Sequence, residues 1–184
     1  YSNLGLALQK QGRLDDALVH YYKAIHIKPN FSEAYSNLGL ALLEQGRLDD
    51  AFVYCQQAVR IKPSYAEAHY NLGLTLHEVG RIEKALVHYH KAISIKPEFA
   101  EANNNLGLAL KSLGQLEEAF KCHQRAVALD PQNDLFWVGL AESIEPLSFT
   151  SVDDNLWQIL RQVIELPSVA PAQVTHPITS ALHH

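Results

Sequence analysis

The side chains with the clearest capacity to hold a ligand fall in rows. Asn3, Asn37, Asn71 and Asn105 stand 34 residues apart. An amide carries both a donor and an acceptor, so a regular row of amides can grip a peptide main chain without reading its sequence. The same amides can also bond within their own stack, bridging one helix to the next, and the two roles are compatible. Leu6, Leu40, Leu74 and Leu108 repeat at the same step, and Glu33, Glu67 and Glu101 make a third row. A fourth row is mixed: Lys10, Glu44, Glu78 and Ser112. The leucines read either as half-buried packing against a neighbouring helix or as an apolar strip for a ligand's side chains.

Bond-making chemistry finds no such pattern. There are ten histidines. His20 and His88 share one repeat slot, His88 and His90 point to different faces of a helix, and His69 and His77 are too far apart on one helix to share an ion. No His-Glu-x-x-His motif, cysteine pair or His–carboxylate cluster is present. Cys55 and Cys122 have no metal-ligand spacing and read as small packing residues, which suits a reducing, cytoplasmic setting. The paired acids Asp15 and Asp16, Asp49 and Asp50, and Glu117 and Glu118 suit the positive ends of helix dipoles. The expectation is a chain with no catalytic residue, no metal and no cofactor.

The elements that position these rows are visible in the period itself. Asn-Leu-Gly-Leu recurs at 3–6, 37–40, 71–74 and 105–108. The same step links Gly12, Gly46, Gly80 and Gly114, then Ala17, Ala51, Ala85 and Ala119, then Ala24, Ala58, Ala92 and Ala126, then Pro29, Pro63, Pro97 and Pro131. In the second copy Tyr35, Leu38, Gly39 and Leu42 make one helical stripe. Gly46 stops that helix. Leu48, Ala51, Phe52, Cys55 and Val59 make the stripe of a second helix, which Pro63 ends. Asn30-x-x-Glu33 and Ser64-x-x-Glu67 read as capping boxes. Each copy is thus a helix–turn–helix, and Gly39 and Ala51 let its two helices approach closely. With ~100° per residue, Asn37, Leu40, Glu33 and Glu44 fall opposite the packing stripe and are expected to face solvent.

The pattern Leu-Gly, Ala, Ala, Pro at this period resembles the tetratricopeptide repeat (TPR). The resemblance implies an all-α fold: a TPR α-solenoid, a right-handed superhelix of antiparallel helix pairs. It divides the chain into four repeats over 1–133 (1–31, 32–65, 66–99, 100–133). A partial fifth repeat and C-terminal capping helix follow over 134–166, and 167–184 form a loop, linker or short terminal helix. Within the fifth copy a first helix is expected at 134–145, with Trp137, Leu140 and Ile144 inward and Ala141 in the glycine slot. Leu156, Ile159, Leu160, Val163 and Ile164 give the stripe of the cap. Phe31, Tyr65 and Phe99, just ahead of the first helices, read as packing between repeats. The resemblance also implies that the first helix of each pair lines an inner groove. The asparagine row is similar to the ladder with which the TPR superhelix of O-GlcNAc transferase grips extended polypeptide.

Charge narrows the partners. The 14 basic and 14 acidic residues of 1–131 cancel, and 132–184 carry one arginine against six acids. Such a chain has no basic surface for phosphate backbones, and its longest apolar runs are too short to span a bilayer. Neither nucleic acid nor membrane is an expected partner. The family this chain resembles also includes arrays that clamp a chaperone's C-terminal carboxylate with groove cations, and the resemblance puts glutamates here where that clamp would want them. The leading expectation is a protein–protein interaction scaffold binding a peptide or partner in the groove through Asn3, Asn37, Asn71, Asn105, Leu6, Leu40, Leu74, Leu108, Glu33, Glu67 and Glu101. Two others stand beside it. The array could be the substrate-docking arm of a larger glycosyltransferase or methyltransferase, or it could self-assemble into a homo-oligomer through uncapped repeat ends.

Overall fold

In the computed structural model residues 1–144 are described, and they contain helices and turns but no strand. They fall in two compact units, 1–97 and 98 onward. Unit 1 holds α1 (Ser2–Lys10), α2 (Leu14–Ile27), α3 (Ser32–Glu44), α4 (Leu48–Ile61), α5 (Ala66–Glu78) and α6 (Ile82–Ile95). Unit 2 holds α7 (Ala100–Ser112), α8 (Leu116–Leu129) and α9 (Asp134–Ile144). The cap stripe at 156–164 and the terminal segment 167–184 lie outside the described residues.

The turns follow from glycine and proline chemistry. Gly46 sits at φ 75°, the left-handed region open to glycine, and its equivalents in the other three pairs do the same. There the Arg47 N–H donates to the Leu42 carbonyl at 2.9 Å and the Gly46 N–H to the Leu43 carbonyl at 2.9 Å. These two bonds close α3 as a Schellman motif. The second helices end differently. Lys28, Lys62 and Lys96 take extended conformations at φ near −130° (−132°, −137° and −130°), because the proline after each disfavours the helical region.

The expected capping boxes do not form. α3 and α5 start one residue later than that pattern requires, with Phe31 and Tyr65 as N-caps and no side-chain cap bond. The proline turn is the reason. It bonds the Phe31 N–H to the Lys28 carbonyl at 3.1 Å and the Tyr65 N–H to the Lys62 carbonyl at 3.1 Å, so Asn30 and Ser64 are held inside the turn. Each turn's lysine lies over the aromatic ring that follows, Lys28 5.0 Å from Phe31 and Lys62 5.4 Å from Tyr65.

In unit 1 each helix packs on the next in sequence, and α3 also touches both α1 and α5. The core runs through Ala17, Leu18, Tyr21, Leu38, Ala41, Leu42 and Ala51. Paired helices approach at the glycines expected from the repeat. A Cβ at Gly39 would stand 2.3 Å from Cys55 Sγ, and one at Gly73 would stand 2.7 Å from the Tyr89 ring. In unit 2 a Cβ at Gly107 would stand 2.7 Å from His123 Nε2. Helix α9 buries Phe136, Trp137, Leu140 and Ala141. It is pinned by the Trp137 Nε1–H donating to the Pro131 carbonyl at 2.9 Å and by Lys111–Glu142 at 2.9 Å. No described helix is long and apolar enough to cross a membrane.

Candidate functional site

The rows occupy one side of the first helices, but they are less open than a helical wheel suggests. In unit 1, Asn3 is exposed and Asn37 is half-buried, its Nδ2 3.5 Å from Ser2 Oγ. Asn71 is only 4% exposed. Its Nδ2 donates to the Ser36 carbonyl at 3.2 Å and to Ser36 Oγ at 3.0 Å. The expected solvent exposure is therefore wrong for Asn71. A wheel registers the partner helix of the pair, whereas α3 and α5 also pack side by side and the asparagine row lies on that seam. The Asn71 amide hydrogens are engaged by Ser36, which leaves its carbonyl oxygen as the group to offer.

The leucines lie beside this seam. Leu6 is 37% exposed, and Leu40 and Leu74 are half-buried. Towards the C-terminal ends of α3 and α5 the surface dips into a hollow of ≈ 410 Å³ lined by Leu43, Glu44, Leu48, Leu74 and Glu78. Toward the other ends, Glu33 and Glu67 are half-buried, and Glu67 Oε1 accepts from Lys96 Nζ at 3.1 Å. In unit 2, Leu108 and Asn105 are half-buried and Glu101 is exposed on α7, with Asn105 Nδ2 donating to the Glu101 carbonyl at 3.0 Å.

A hydrogen-bond chain closes this face in unit 1. The Tyr21 hydroxyl donates to Gln9 Oε1 at 2.7 Å, and Gln9 Nε2 donates to Glu44 Oε1 at 2.9 Å. Burial, then the Glu44 and Glu33 carboxylates, push the Tyr21 phenol above its usual range, so it stays a donor. The face of unit 1 thus carries Glu33, Glu44, Glu67 and Glu78 against Lys10, an acidic balance around an apolar strip.

Among the described residues His69, His123 and Cys55 are buried in the packing, whereas His26 and His90 are exposed. Among the described residues no group of three His, Cys, Asp or Glu is placed to hold a metal ion. Two arrangements were not anticipated from spacing. His69, 6% exposed, and His88 meet with their Nδ1 atoms 3.1 Å apart. His123 is fully buried. The signal for His123 was in the period, since it shares a slot with Tyr21, Cys55 and Tyr89 opposite the close-approach glycines. Burial pushes the Cys55 thiol up to about 12 and, with Glu118 nearby, the Cys122 thiol up to about 11. Neither is a thiolate nucleophile at neutral pH.

With that geometry in place, the comparisons agree on one family. Residues 5–46 match the family described as TPR repeat, and residues 30–98 and 100–133 match families described as Tetratricopeptide repeat. The fold is similar to that of MamA, with a TM-score of 0.68 at 20% identity over 100% of this chain and 97% of that one. A fragment of MamA from Desulfovibrio magneticus RS-1 gives a TM-score of 0.69 at 23% identity, covering 89% of this chain and 91% of that one. YrrB, described as a TPR protein with an unusual peptide-binding site, gives 0.64 at 20% identity, covering 100% and 89%. No curated protein matches the chain in sequence.

Proposed function

As a member of the tetratricopeptide-repeat family, whose repeats are generally non-catalytic scaffolds, this chain is a protein-interaction module, and we propose that it holds an extended peptide along the α1, α3 and α5 side of unit 1. The observation that carries the reading is the partly exposed strip Leu6, Leu40 and Leu74 running beside Asn3 and Asn37. Apolar side chains of the ligand lie on the leucines, and exposed amides meet its main chain. Glu33, Glu44, Glu67 and Glu78 line the same side, so basic residues in the peptide are favoured and a terminal carboxylate is not. YrrB, similar in fold, is described as peptide-binding, which agrees with this reading.

The test is a peptide-display selection on the intact protein, repeated on the variant Leu40→Gln with Leu74→Gln. Selected peptides are expected to combine apolar and basic residues. Their affinity should fall about tenfold or more in the variant, since two partly buried apolar contacts of ~1 kcal/mol each are lost. Its helical melt should stay close to that of the parent. Equal binding by parent and variant contradicts the proposal.

A further inference from the structure

On the second-helix side of unit 1 the chain builds two equivalent grooves and closes only one. Between α2 and α4, Tyr22 and Tyr54 meet edge to face with centroids 6.0 Å apart, and Tyr54 also lies 6.2 Å from Tyr35. Arg47 pairs with Asp50 at 2.5 Å beside them. Between α4 and α6 the 34-residue step puts Gln56 in place of Tyr22, His88 in place of Tyr54, and Lys84 in place of Asp50. Two phenol rings and a carboxylate are thereby missing from the second groove.

What remains is a hollow of ≈ 250 Å³, floored by Phe52, Leu72 and Leu76 and rimmed by Arg81, Lys84 and His88. Arg81 lies over the Phe52 ring at 5.8 Å. Among the described residues neither Arg81 nor Lys84 is in an ion pair, whereas Arg47 one repeat earlier is. His88 is held by its neighbour: His69 Nε2 is 3.0 Å from the Pro63 carbonyl and must donate to it. His69 Nδ1 then accepts from His88 Nδ1–H, and Nε2 of His88 is left as a bare acceptor.

We propose that this hollow is a docking site for a partner segment presenting an aromatic ring beside a carboxylate, the two groups with which the chain closes its preceding groove. The ring lies on the Phe52, Leu72 and Leu76 floor, and the carboxylate faces the Arg81 guanidinium and the Lys84 ammonium, a pairing that suits arginine's fork of donors. A phenol hydroxyl in the ring position can donate to His88 Nε2. The site is separate from the α1, α3 and α5 side and does not depend on the reading proposed for it.

The probe is a capped helical peptide with Asp and Tyr four residues apart, the spacing of Asp50 and Tyr54, titrated into the isotope-labelled full chain. Saturable amide shifts are expected at Phe52, Leu76, Lys84 and His88. The variant Gln56→Tyr with Lys84→Asp and His88→Tyr rebuilds the closed groove, and it should weaken binding about tenfold or more, as should replacing the peptide's Asp by Asn. The single variant Lys84→Gln, which leaves the packing alone, should weaken it in the same direction. Absence of saturable shifts, equal binding by the rebuilt variant, or shifts confined to α1, α3 and α5 would overturn the proposal. So would concentration-dependent dimerisation that the rebuilt variant abolishes, since the occupant would then be a second copy.

Discussion

One slot repeats as Tyr21, Cys55, Tyr89 and His123, each set against a glycine of its partner helix, and its last occupant titrates. His123 Nδ1 is 3.1 Å from Asn104 Oδ1, which makes Nδ1 the protonated nitrogen. Its Nε2 is buried without a hydrogen-bond partner among the described residues. Burial, and secondarily the Lys111 ammonium, lower its pKa to about 4, against a partial offset from Glu142. The folded chain therefore refuses a proton that the unfolded chain accepts at its ordinary value of 6.5. Above that value His123 contributes no pH dependence. Stability falls as pH drops from about 6.5 towards about 4, by about 3 kcal/mol at ~1.4 kcal/mol per unit. His123→Tyr, the residue of the equivalent slots in α2 and α6, should remove this component, read as the difference between the two proteins' denaturant midpoints at pH 7 and pH 4.5. An identical acid loss in both would show that other groups carry it. The slot was legible from the period alone. The proton chemistry was not, because it depends on the absence of any partner for Nε2.

Close approach is the lesson at the scale of helices. The Gly39 position leaves no room for a methyl: besides Cys55 Sγ, the Cys55 backbone nitrogen would stand 3.1 Å from it and the Ala51 carbonyl oxygen 3.3 Å. Gly39→Ala should destabilise the protein by about 1–3 kcal/mol through overpacking. Adding Cys55→Ala should recover part of that loss and no more, since the backbone atoms remain. A neutral single substitution in chemical denaturation would contradict the geometry. Sequence periodicity located this packing stripe and the helix stops correctly. It misplaced two things for one reason. Capping residues and the exposure of Asn71 are set by what lies next to a helix, a proline turn in one case and a second first helix in the other. A single helix's wheel contains neither.

At the scale of the molecule, the family and its all-α character were readable because 34-residue identity survives in glycine, alanine and proline, where sterics permit little else. The function was less readable, since the rows that face a ligand obey no such constraint. Each unit of a repeat protein draws its stability from neighbouring pairs, so a peptide lying across α1, α3 and α5 touches three elements that stack on one another. The amide spectrum of the intact protein, titrated with the strongest selected peptide, reads that directly. The account predicts perturbations at Leu6, Asn37, Leu40 and Leu74 that saturate together. Perturbations confined to α2, α4 and α6, with those four amides unmoved, would contradict it.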